Sequence, residues 1–579
     1  LGSAGLVAMM AGPRWWRCLW LCASGALAFT PAPSSHLSLS HEPASASLRP
    51  GPRCLGPGGG VVRAAGSPVD LATEESGSTV AAVAAAEAEA GQQAEEFSWA
   101  EQWYPLAFTS VTDKAVPHRL ELFGEPLVLW WDHVREAWAV MTDECPHRLA
   151  PLSEGRIDES GRIECPYHGW AFCGKNGACE KIPQLPQNIL KDEQRTARVL
   201  AESGGKSWRV EEKQGLVWVW AGDNSRADPS TIIICDALER DDFVWIDVSR
   251  DMPYSADMLL ENVLDSSHVP FTHHKTISKR ENAVELPLRI TSTESAAGFD
   301  AEIATDLPIQ MSGQEDAKTT ERTSKYVAPT YMHHRIRTTG KDGTLDSGFE
   351  TWTVAYATPT GPGRCRLFAR FPFRFPEPKR GPNIPKLVFK WLPDWVNHMG
   401  QLKVLDDDNI FLPLQERRVQ DAGGWKDTYH MPTKADVLVS AYRRWFDNHG
   451  PPPYAPYAVD EQRYRLVTKE ELLDRKSQHT DHCKSCSGAL KASKKVKTLC
   501  KVVALSALAV APHLALQRSF KALGGLGVAA LVTWRVWLFA RNVERTLTSG
   551  IHFYPPPRNA PGDKKAARNL KTVEEGRRS

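Results

Sequence analysis

Short apolar runs bounded by turn-forming residues characterise the chain between positions 98 and 223. Residues 127–131 (LVLWW) and 216–220 (LVWVW) are typical of buried strands. Further along, residues 366–371 alternate between polar and apolar side chains, which indicates strands of a sheet. The pattern predicts a β-rich domain over residues 98–223, followed by a second domain that also contains a sheet.

A helical pattern lies among the strand-like segments of this second domain. Apolar residues at positions 258, 259, 260 and 263 predict a helix that begins near Asp257 and ends before Pro270. Asn262, Asp265 and His268 would then lie on one broad face of that helix. We therefore expect an α+β fold, in which a helix-flanked antiparallel sheet over residues 224–475 follows the β-rich domain.

Two apolar runs near the C-terminus predict membrane-associated helices over residues 501–541. Residues 502–516 are interrupted by Pro512 and His513, and residues 522–540 are apolar apart from Arg535. About 20 apolar residues span a bilayer, so the second run is nearly long enough and the first is short. We expect a hairpin of two membrane helices, with a monotopic amphipathic pair as the alternative, and a polar tail over 542–579.

The N-terminal residues predict targeting segments. Arg14 and Arg17 precede a short apolar run that ends in Ala26-Leu27-Ala28, which is typical of a signal peptide over residues 1–28. Residues 29–70 are rich in Ser, Pro, Gly and Ala, as in a transit peptide, and 71–97 are expected to form a linker. This order resembles the bipartite leaders of algal plastids of secondary endosymbiotic origin; a leader without an address is the alternative.

Composition restricts the possible function classes. The 579 residues include 70 Lys and Arg against 69 Asp and Glu, a balance that argues against nucleic-acid binding. Twelve Cys are too sparse for a disulfide-stapled scaffold. The length suggests two to four domains of roughly 150 residues each.

Two short motifs pair a cysteine with a histidine. They are Cys145-Pro146-His147 and Cys165-Pro166-Tyr167-His168, and 17 residues separate His147 from Cys165. Four such donors are compatible with zinc or with a [2Fe–2S] cluster. Zinc knuckles usually have C-x-x-C arms, whereas two Cys and two His are the ligands of Rieske clusters. The arms therefore favour a Rieske-type [2Fe–2S] cluster.

A second group of candidate ligands has the spacing N-x-x-D-x-x-H-x-x-x-x-H. Its four residues are Asn262, Asp265, His268 and His273. Two His and one carboxylate with open positions form the site of non-haem Fe(II) oxygenases. Alone, each histidine would be an ordinary surface or core residue. Downstream of a Rieske-type motif, the combination predicts a mononuclear iron site.

These motifs resemble those of Rieske-type oxygenases, and in particular the plastid branch typified by pheophorbide a oxygenase. The resemblance implies that Cys145 and Cys165 hold one iron of the cluster, and that His147 and His168 hold the other. It implies that His268 and His273 bind Fe(II), with His274 as a less well spaced substitute for His273.

The same resemblance implies roles for three acidic positions and for the assembly. The carboxylate ligand lies far downstream in the family, among Asp406, Asp407 and Asp408, and spacing favours Asp408. Asp265, which with Asn262 is a catalytic candidate, would be an electron bridge between neighbouring subunits of a homotrimer.

A C-x-x-C pair, Cys483 and Cys486, precedes the apolar runs within a predicted linker over residues 476–500. The adjacent His482 and Lys484 are expected to lower the pKa of one thiol and make it redox-reactive. Two inert thiols are the alternative. The resemblance implies a redox switch controlled by thioredoxin.

The implied activity is oxygenation of a chlorophyll-type tetrapyrrole with O2 in a plastid envelope or thylakoid membrane. Electrons would come from ferredoxin, because the chain has no evident nicotinamide or flavin motif. Ring opening of pheophorbide a in chlorophyll breakdown is the main hypothesis. The alternatives are oxygenation of chlorophyllide a or protochlorophyllide a, and a redox-sensing or electron-transfer subunit of a plastid import complex.

Seven aromatic residues between the iron motif and Asp408 could line the substrate pocket, although core packing is expected for any one of them. They are Tyr326, Tyr331, Trp352, Phe368, Phe371, Phe373 and Phe375.

Overall fold

Three small antiparallel sheets form the first domain of the protein. The structure is a computed structural model, and it describes residues 97–292, 295–303, 320–340, 342–378, 381–455 and 467–559. The targeting segments and almost all of the linker expected over residues 1–97 lie outside the described residues, as does most of the polar tail. The described residues belong to one compact unit.

The first domain contains eleven strands among the described residues, in sheets ordered β1-β11-β10, β2-β3-β4-β9 and β5-β6-β7-β8. The strands are β1 (Trp103–Phe108), β2 (His118–Leu122), β3 (Glu125–Asp132), β4 (Ala137–Thr142), β5 (Arg156–Ile157), β6 (Ile163–Glu164), β7 (Ala171–Phe172), β8 (Cys179–Lys181), β9 (Ser207–Trp208), β10 (Val210–Lys213) and β11 (Leu216–Trp220). Helices α1 (Gln187–Leu190) and α2 (Glu193–Glu202) lie between β8 and β9. The predicted β-rich domain is confirmed.

A seven-stranded antiparallel sheet forms the second domain, in the order β12-β18-β17-β16-β15-β14-β13. Its strands are β12 (Val244–Met252), β13 (Leu288–Ile290), β14 (Gly298–Ile303), β15 (Thr320–Val327), β16 (Tyr331–Thr338), β17 (Glu350–Gly361) and β18 (Arg364–Arg374). Strand β12 alternates between buried and partly exposed residues, as expected for a sheet with one face in the core. The antiparallel sheet agrees with the prediction.

Helices cover this sheet and carry much of the candidate site. They are α3 (Ala256–Leu264), α4 (Val269–Thr272), α5 (Ile384–Trp391), α6 (Asp394–Asn409), α7 (Leu412–Asp421), α8 (Val437–His449), α9 (Lys469–Leu472) and α10 (Arg475–Gln478). Apolar residues of α3 and α8 pack with those of the first domain in one core. The two domains are also joined through the backbone, because the N–H of Phe123 donates to the carbonyl of Pro359 at 2.9 Å.

Two long C-terminal helices, α11 (Lys484–Leu516) and α12 (Phe520–Thr548), pack against each other. Their length and apolar composition are compatible with crossing a membrane. Helix α11 continues through Pro512, one of the two residues that interrupt the first apolar run in the sequence. The proline lies in the last turns, where only one backbone hydrogen bond is lost before the helix ends. The helix also begins within the segment expected to be a linker.

Candidate functional site

The two Cys–His motifs form matching turns, the first in the loop after strand β4 and the second between the paired strands β6 and β7. In the first, the N–H of Leu149 donates to the carbonyl of Cys145 at 2.8 Å; in the second, the N–H of Gly169 donates to that of Cys165 at 3.1 Å. Leu149 and Gly169 occupy the same position of the turn, with φ of 58° and 70°. A non-glycine residue is strained there, so the first turn holds its shape at some cost.

The four side chains of these motifs converge. Both cysteines are buried, and the thiols of Cys145 and Cys165 are in contact, while burial raises the pKa of Cys145 to about 11. The rings of His147 and His168 are half-buried, with centroids 4.6 Å apart. The buried Nδ1 of His147 has no hydrogen-bond partner among the described residues. This arrangement, with sulfurs inside and imidazoles at the rim, fits the donor set of a Rieske cluster.

The helix predicted from Asp257 to Pro270 is shorter in the structure. Helix α3 ends at Leu264, so Asn262 lies on it, but Asp265 and His268 lie in the turn that follows. The cause is local, because Oδ1 of Asp265 accepts a 2.7 Å hydrogen bond from the N–H of Ser267 and thereby competes with the helix. The prediction that all three share a helix face is wrong.

His268, His273 and Asp408, hereafter the His–His–Asp cluster, come together behind this turn. Nε2 of His268 lies 4.0 Å from Oδ1 of Asp408, and Nε2 of His273 lies 3.4 Å from Oδ2 of the same carboxylate. The other ring nitrogen of His268 faces the carbonyl of Asp265. Both rings thus present Nε2 to one carboxylate, whose buried Oδ1 has no hydrogen-bond partner among the described residues. Two imidazoles and a carboxylate fit a non-haem Fe(II) ion.

The three carboxylates of the acidic triplet have different partners, because successive residues of helix α6 point about 100° apart. Asp406 pairs with the buried guanidinium groups of Arg250 and Arg475, at 2.7 Å each. Oδ2 of Asp407 lies 3.4 Å from Nδ1 of His273, on the far side of that ring. Of the three, Asp408 alone faces both histidines, and burial raises the pKa of its carboxyl above the usual range.

Asn262 and Asp265 lie beside the cluster, whereas His274 does not. The side chain of Asn262 hydrogen-bonds to Asp408. Oδ2 of Asp265 lies 3.8 Å from Nδ1 of His268, and 28% of the Asp265 side chain is exposed. His274 is turned elsewhere, since its Nδ1 accepts a 3.0 Å hydrogen bond from the N–H of Arg280.

Two buried groups that the sequence did not indicate support the cluster. Arg443 pairs with Glu261 and, at 2.7 Å, with Asp257, and these contacts tie helix α3 to helix α8. Nε2–H of His334 donates to the carbonyl of Val263 at 2.8 Å, and Nδ1 of the same ring accepts from Oγ of Ser324 at 2.7 Å. Burial lowers the pKa of His334 to about 4. No local motif marks any of these residues, since their partners are far away in sequence.

The C-x-x-C pair is surrounded by different groups from those expected. Lys484 pairs with Asp113 and His482 with Asp251, so neither flanking cation faces the sulfurs. Instead His398 and His479, both buried, contact the two thiols. The neighbouring Cys486 and His398 side chains lower the pKa of the Cys483 thiol. The expectation of a perturbed thiol holds, but its attribution to His482 and Lys484 is wrong.

Four of the seven candidate pocket aromatics are buried in the core. They are Tyr326, Tyr331, Trp352 and Phe368. Phe371, Phe373 and Phe375 are partly exposed. Packing, rather than pocket lining, accounts for the four buried rings.

Comparison with known proteins identifies two families in the chain. Residues 102–199 match the Rieske [2Fe-2S] domain, and residues 326–425 match the family described as pheophorbide a oxygenase. The chain is 32% identical over 419 residues to pheophorbide a oxygenase of Arabidopsis thaliana, covering 69% of this chain and 74% of that one.

Relatives with other names are similar to nearly the same degree. Flavonoid 8-hydroxylase 2 of Ocimum basilicum is 32% identical over 429 residues, covering 69% of this chain and 75% of that protein. Protein TIC 55 of Arabidopsis thaliana is 30% identical over 484 residues, covering 78% and 83%. All three relatives are named as chloroplastic.

Proposed function

The chain belongs to the Rieske oxygenase family of pheophorbide a oxygenase, and from that premise we propose that it oxygenates a chlorophyll-type tetrapyrrole. It is a Rieske non-haem iron oxygenase with a [2Fe–2S] cluster and a mononuclear iron. The observation that carries the proposal is the presentation of two Nε2 atoms to one carboxylate in the His–His–Asp cluster, where Oδ1 of Asp408 has no hydrogen-bond partner among the described residues. Such a site has no evident use in a protein that only passes electrons.

We propose the following ligands. Cys145, His147, Cys165 and His168 would hold the cluster, and His268, His273 and Asp408 would hold Fe(II). When bound, the two metal groups supply electrons and the activation of O2, which otherwise reacts slowly with closed-shell molecules. The described side chains have defined tasks around them: Asp407 and the carbonyl of Asp265 fix the two imidazoles, and Asn262 orients the carboxylate.

Electron transfer between subunits is the role that we propose for Asp265. Its partly exposed carboxylate lies beside His268, and the half-buried His147 and His168 lie at the rim of the first domain. Both ends of a bridge across a subunit interface are thus near the surface. A homotrimer would place the cluster of one subunit against Asp265 of its neighbour. Ferredoxin would deliver the electrons.

The proposed location is a plastid membrane, envelope or thylakoid, reached through the bipartite leader. The chloroplastic relatives and the two exposed apolar helices support it. A membrane-bound site suits a hydrophobic pigment, because the substrate partitions into the same bilayer.

The test is turnover with labelled O2. Purified protein with reduced ferredoxin is incubated with pheophorbide a, chlorophyllide a, protochlorophyllide a and a flavone, and products are analysed by mass spectrometry. We expect labelled oxygen in a tetrapyrrole, abolished in His268→Ala and retained in the matched His274→Ala variant. Labelled oxygen in the flavone alone would indicate a flavonoid substrate in place of a tetrapyrrole, in line with the name of the relative from Ocimum basilicum.

A redox-sensing subunit of an import complex is the second candidate, favoured by the similarity to Protein TIC 55 and by the buried C-x-x-C pair. It predicts a cluster that cycles between oxidation states with no labelled product from any substrate. That outcome would end the oxygenase proposal.

A further inference from the structure

A second set of side chains that could bind a metal is buried about 15 Å along helix α6 from the proposed iron ligand Asp408. His398 lies on helix α6, His479 follows helix α10, and Cys483 and Cys486 lie at the start of helix α11. All four are nearly inaccessible, at 3%, 2%, 2% and 0% exposure. We refer to them as the buried Cys–His cluster.

The ring nitrogens of the two histidines are assigned by their backbone partners. Nε2 of His398 lies 2.8 Å from the carbonyl of Asp247, and Nδ1 of His479 lies 2.6 Å from the carbonyl of Ser249. A carbonyl only accepts hydrogen bonds, so these two nitrogens carry the protons. In the neutral rings, Nδ1 of His398 and Nε2 of His479 therefore both carry lone pairs. They face each other at 3.2 Å.

Two facing lone pairs repel each other unless a cation lies between them. The sulfurs complete a set of four donors: Sγ of Cys486 lies 3.3 Å from each of the two bare nitrogens, and Sγ of Cys483 lies 3.6 Å from Nδ1 of His398. All four donor atoms lie within 4.8 Å of one another. The cysteines are not joined in a disulfide.

These separations are those of a tetrahedral zinc site. Zinc bonds of about 2.0–2.1 Å to nitrogen and about 2.3 Å to sulfur place neighbouring ligand atoms about 3.3 to 3.8 Å apart. Two Cys and two His, all from the protein and all buried, are the donor set of a closed structural site rather than a catalytic one. The carbonyls of Asp247 and Ser249, on strand β12, supply the outer partners that orient ligating histidines.

We propose that His398, His479, Cys483 and Cys486 bind a structural Zn²⁺ ion that fastens the base of the C-terminal helical hairpin to the catalytic domain. The ion joins helix α11 to helix α6, and helix α6 also carries Asp408. Ten residues, or about 15 Å of helix, separate His398 from Asp408. The zinc site thus fixes the helix that supplies the proposed iron ligand without taking part in its chemistry.

The zinc proposal competes with the thioredoxin-controlled switch that the sequence suggested for the same cysteines. A Cys483–Cys486 disulfide would remove two of the four ligands. In addition, a protein reductase needs access to a sulfur, and both are buried. A free C-x-x-C switch gives no reason for two oriented, unprotonated histidine nitrogens beside the thiols.

Zinc K-edge X-ray absorption on the purified full-length protein tests the proposal, because it is blind to iron. We expect one zinc per chain, with two sulfur ligands near 2.3 Å and two nitrogen ligands near 2.0–2.1 Å. Cys486→Ser is expected to lose the zinc and keep the Rieske electron paramagnetic resonance signal. His482→Ala, an adjacent histidine that faces Asp251, is the matched control and is expected to keep the zinc.

Results on the wild-type protein alone can overturn the proposal, even if Cys486→Ser fails to fold. Purified protein without zinc, in which mass spectrometry shows either two free thiols or a Cys483–Cys486 disulfide, would assign the pair to thiol chemistry. Zinc that is retained by both Cys486→Ser and His398→Gln would place the ion elsewhere. Neither result would bear on oxygen incorporation, which depends on the separate His–His–Asp cluster.

Discussion

Asp407 and His273 lie side by side in the structure, with Oδ2 of the carboxylate 3.4 Å from Nδ1 of the ring. The opposite nitrogen of the same ring faces Asp408 at 3.4 Å. A carboxylate, a histidine and a metal position therefore lie in line, which is the arrangement that fixes the tautomer of ligating histidines in metalloenzymes. The backbone carbonyl of Asp265 does the same for His268.

This relationship predicts a partial defect when Asp407 is changed. Asp407→Asn leaves all three proposed ligands in place but removes the charge that orients His273. We expect iron affinity to fall by about 10- to 100-fold, without complete loss of binding. Iron titration of the metal-depleted mononuclear site, followed by activity, measures the effect. An unchanged affinity would show that Asp407 does not act through the ring.

Asp406→Asn is expected to damage the fold rather than the chemistry. Asp406 neutralises Arg250 and Arg475, whose side chains are 0% and 1% exposed. Removing the charge of Asp406 leaves two buried guanidinium groups without a neutralising carboxylate. Loss of one member of a buried ion pair lowers the free energy of unfolding by about 3 to 5 kcal/mol. Thermal unfolding in detergent should show a much lower Tm. Glu202→Gln, which breaks the exposed pair with Arg198, is the control and should leave the Tm unchanged.

Protonation of His334 is expected to destabilise the protein in acid. Burial, reinforced by Arg322, lowers the pKa of His334 to about 4. Because the folded-state pKa is below the unfolded value of about 6.5, stability is complete above pH 6.5 and is lost as the pH falls toward 4.

The expected loss from this one group between pH 7 and pH 5 is about 2 kcal/mol. Urea denaturation at the two pH values, with wild type and His334→Gln, isolates it. The variant is expected to be less stable at pH 7, but its stability should depend less on pH. Equal pH dependence in both proteins would contradict the assignment.

Charges in the C-terminal hairpin should release the protein from membranes. Leu505 and Leu508 on helix α11 are 67% and 70% exposed, so the fold does not account for their apolar character. An Asp at the centre of a membrane span costs about 2.5 to 3.5 kcal/mol.

The double variant Leu505→Asp/Leu508→Asp is expected to leave the membrane fraction in vesicle flotation while keeping its Rieske signal. Val134→Asp, at a 61% exposed position of the first domain, is the control and should float with the vesicles. Flotation of the double variant would indicate that the hairpin is not the anchor.

The sequence was sufficient for the β-rich domain, the antiparallel sheet and the two apolar helices, because each depends on a local pattern of apolar residues. It was also sufficient to identify His268 and His273 as candidate iron ligands, because both lie in one short motif. It could not choose among Asp406, Asp407 and Asp408 by physical reasoning. Their roles differ because consecutive helical residues face different partners, and those partners are far away in the chain.

Other features escaped for the same reason. His398 is 85 positions from Cys483, so no local pattern marks it. His479 could have been identified as a candidate ligand, because it lies four residues before Cys483 in the spacing H-x-x-x-C-x-x-C. The shorter helix α3 depends on a side chain–backbone hydrogen bond of Asp265 that competes with helix formation and that apolar periodicity does not report.

Iron content per chain tests the central claim most directly. If His268, His273 and Asp408 bind a mononuclear iron beside a two-iron cluster, the wild-type protein holds three iron atoms per chain. Asp408→Asn should then hold two, with an unchanged Rieske resonance and no oxygen incorporation. Three iron atoms in Asp408→Asn, or a wild-type protein that holds only the two of its cluster after reconstitution with Fe(II), would contradict the account.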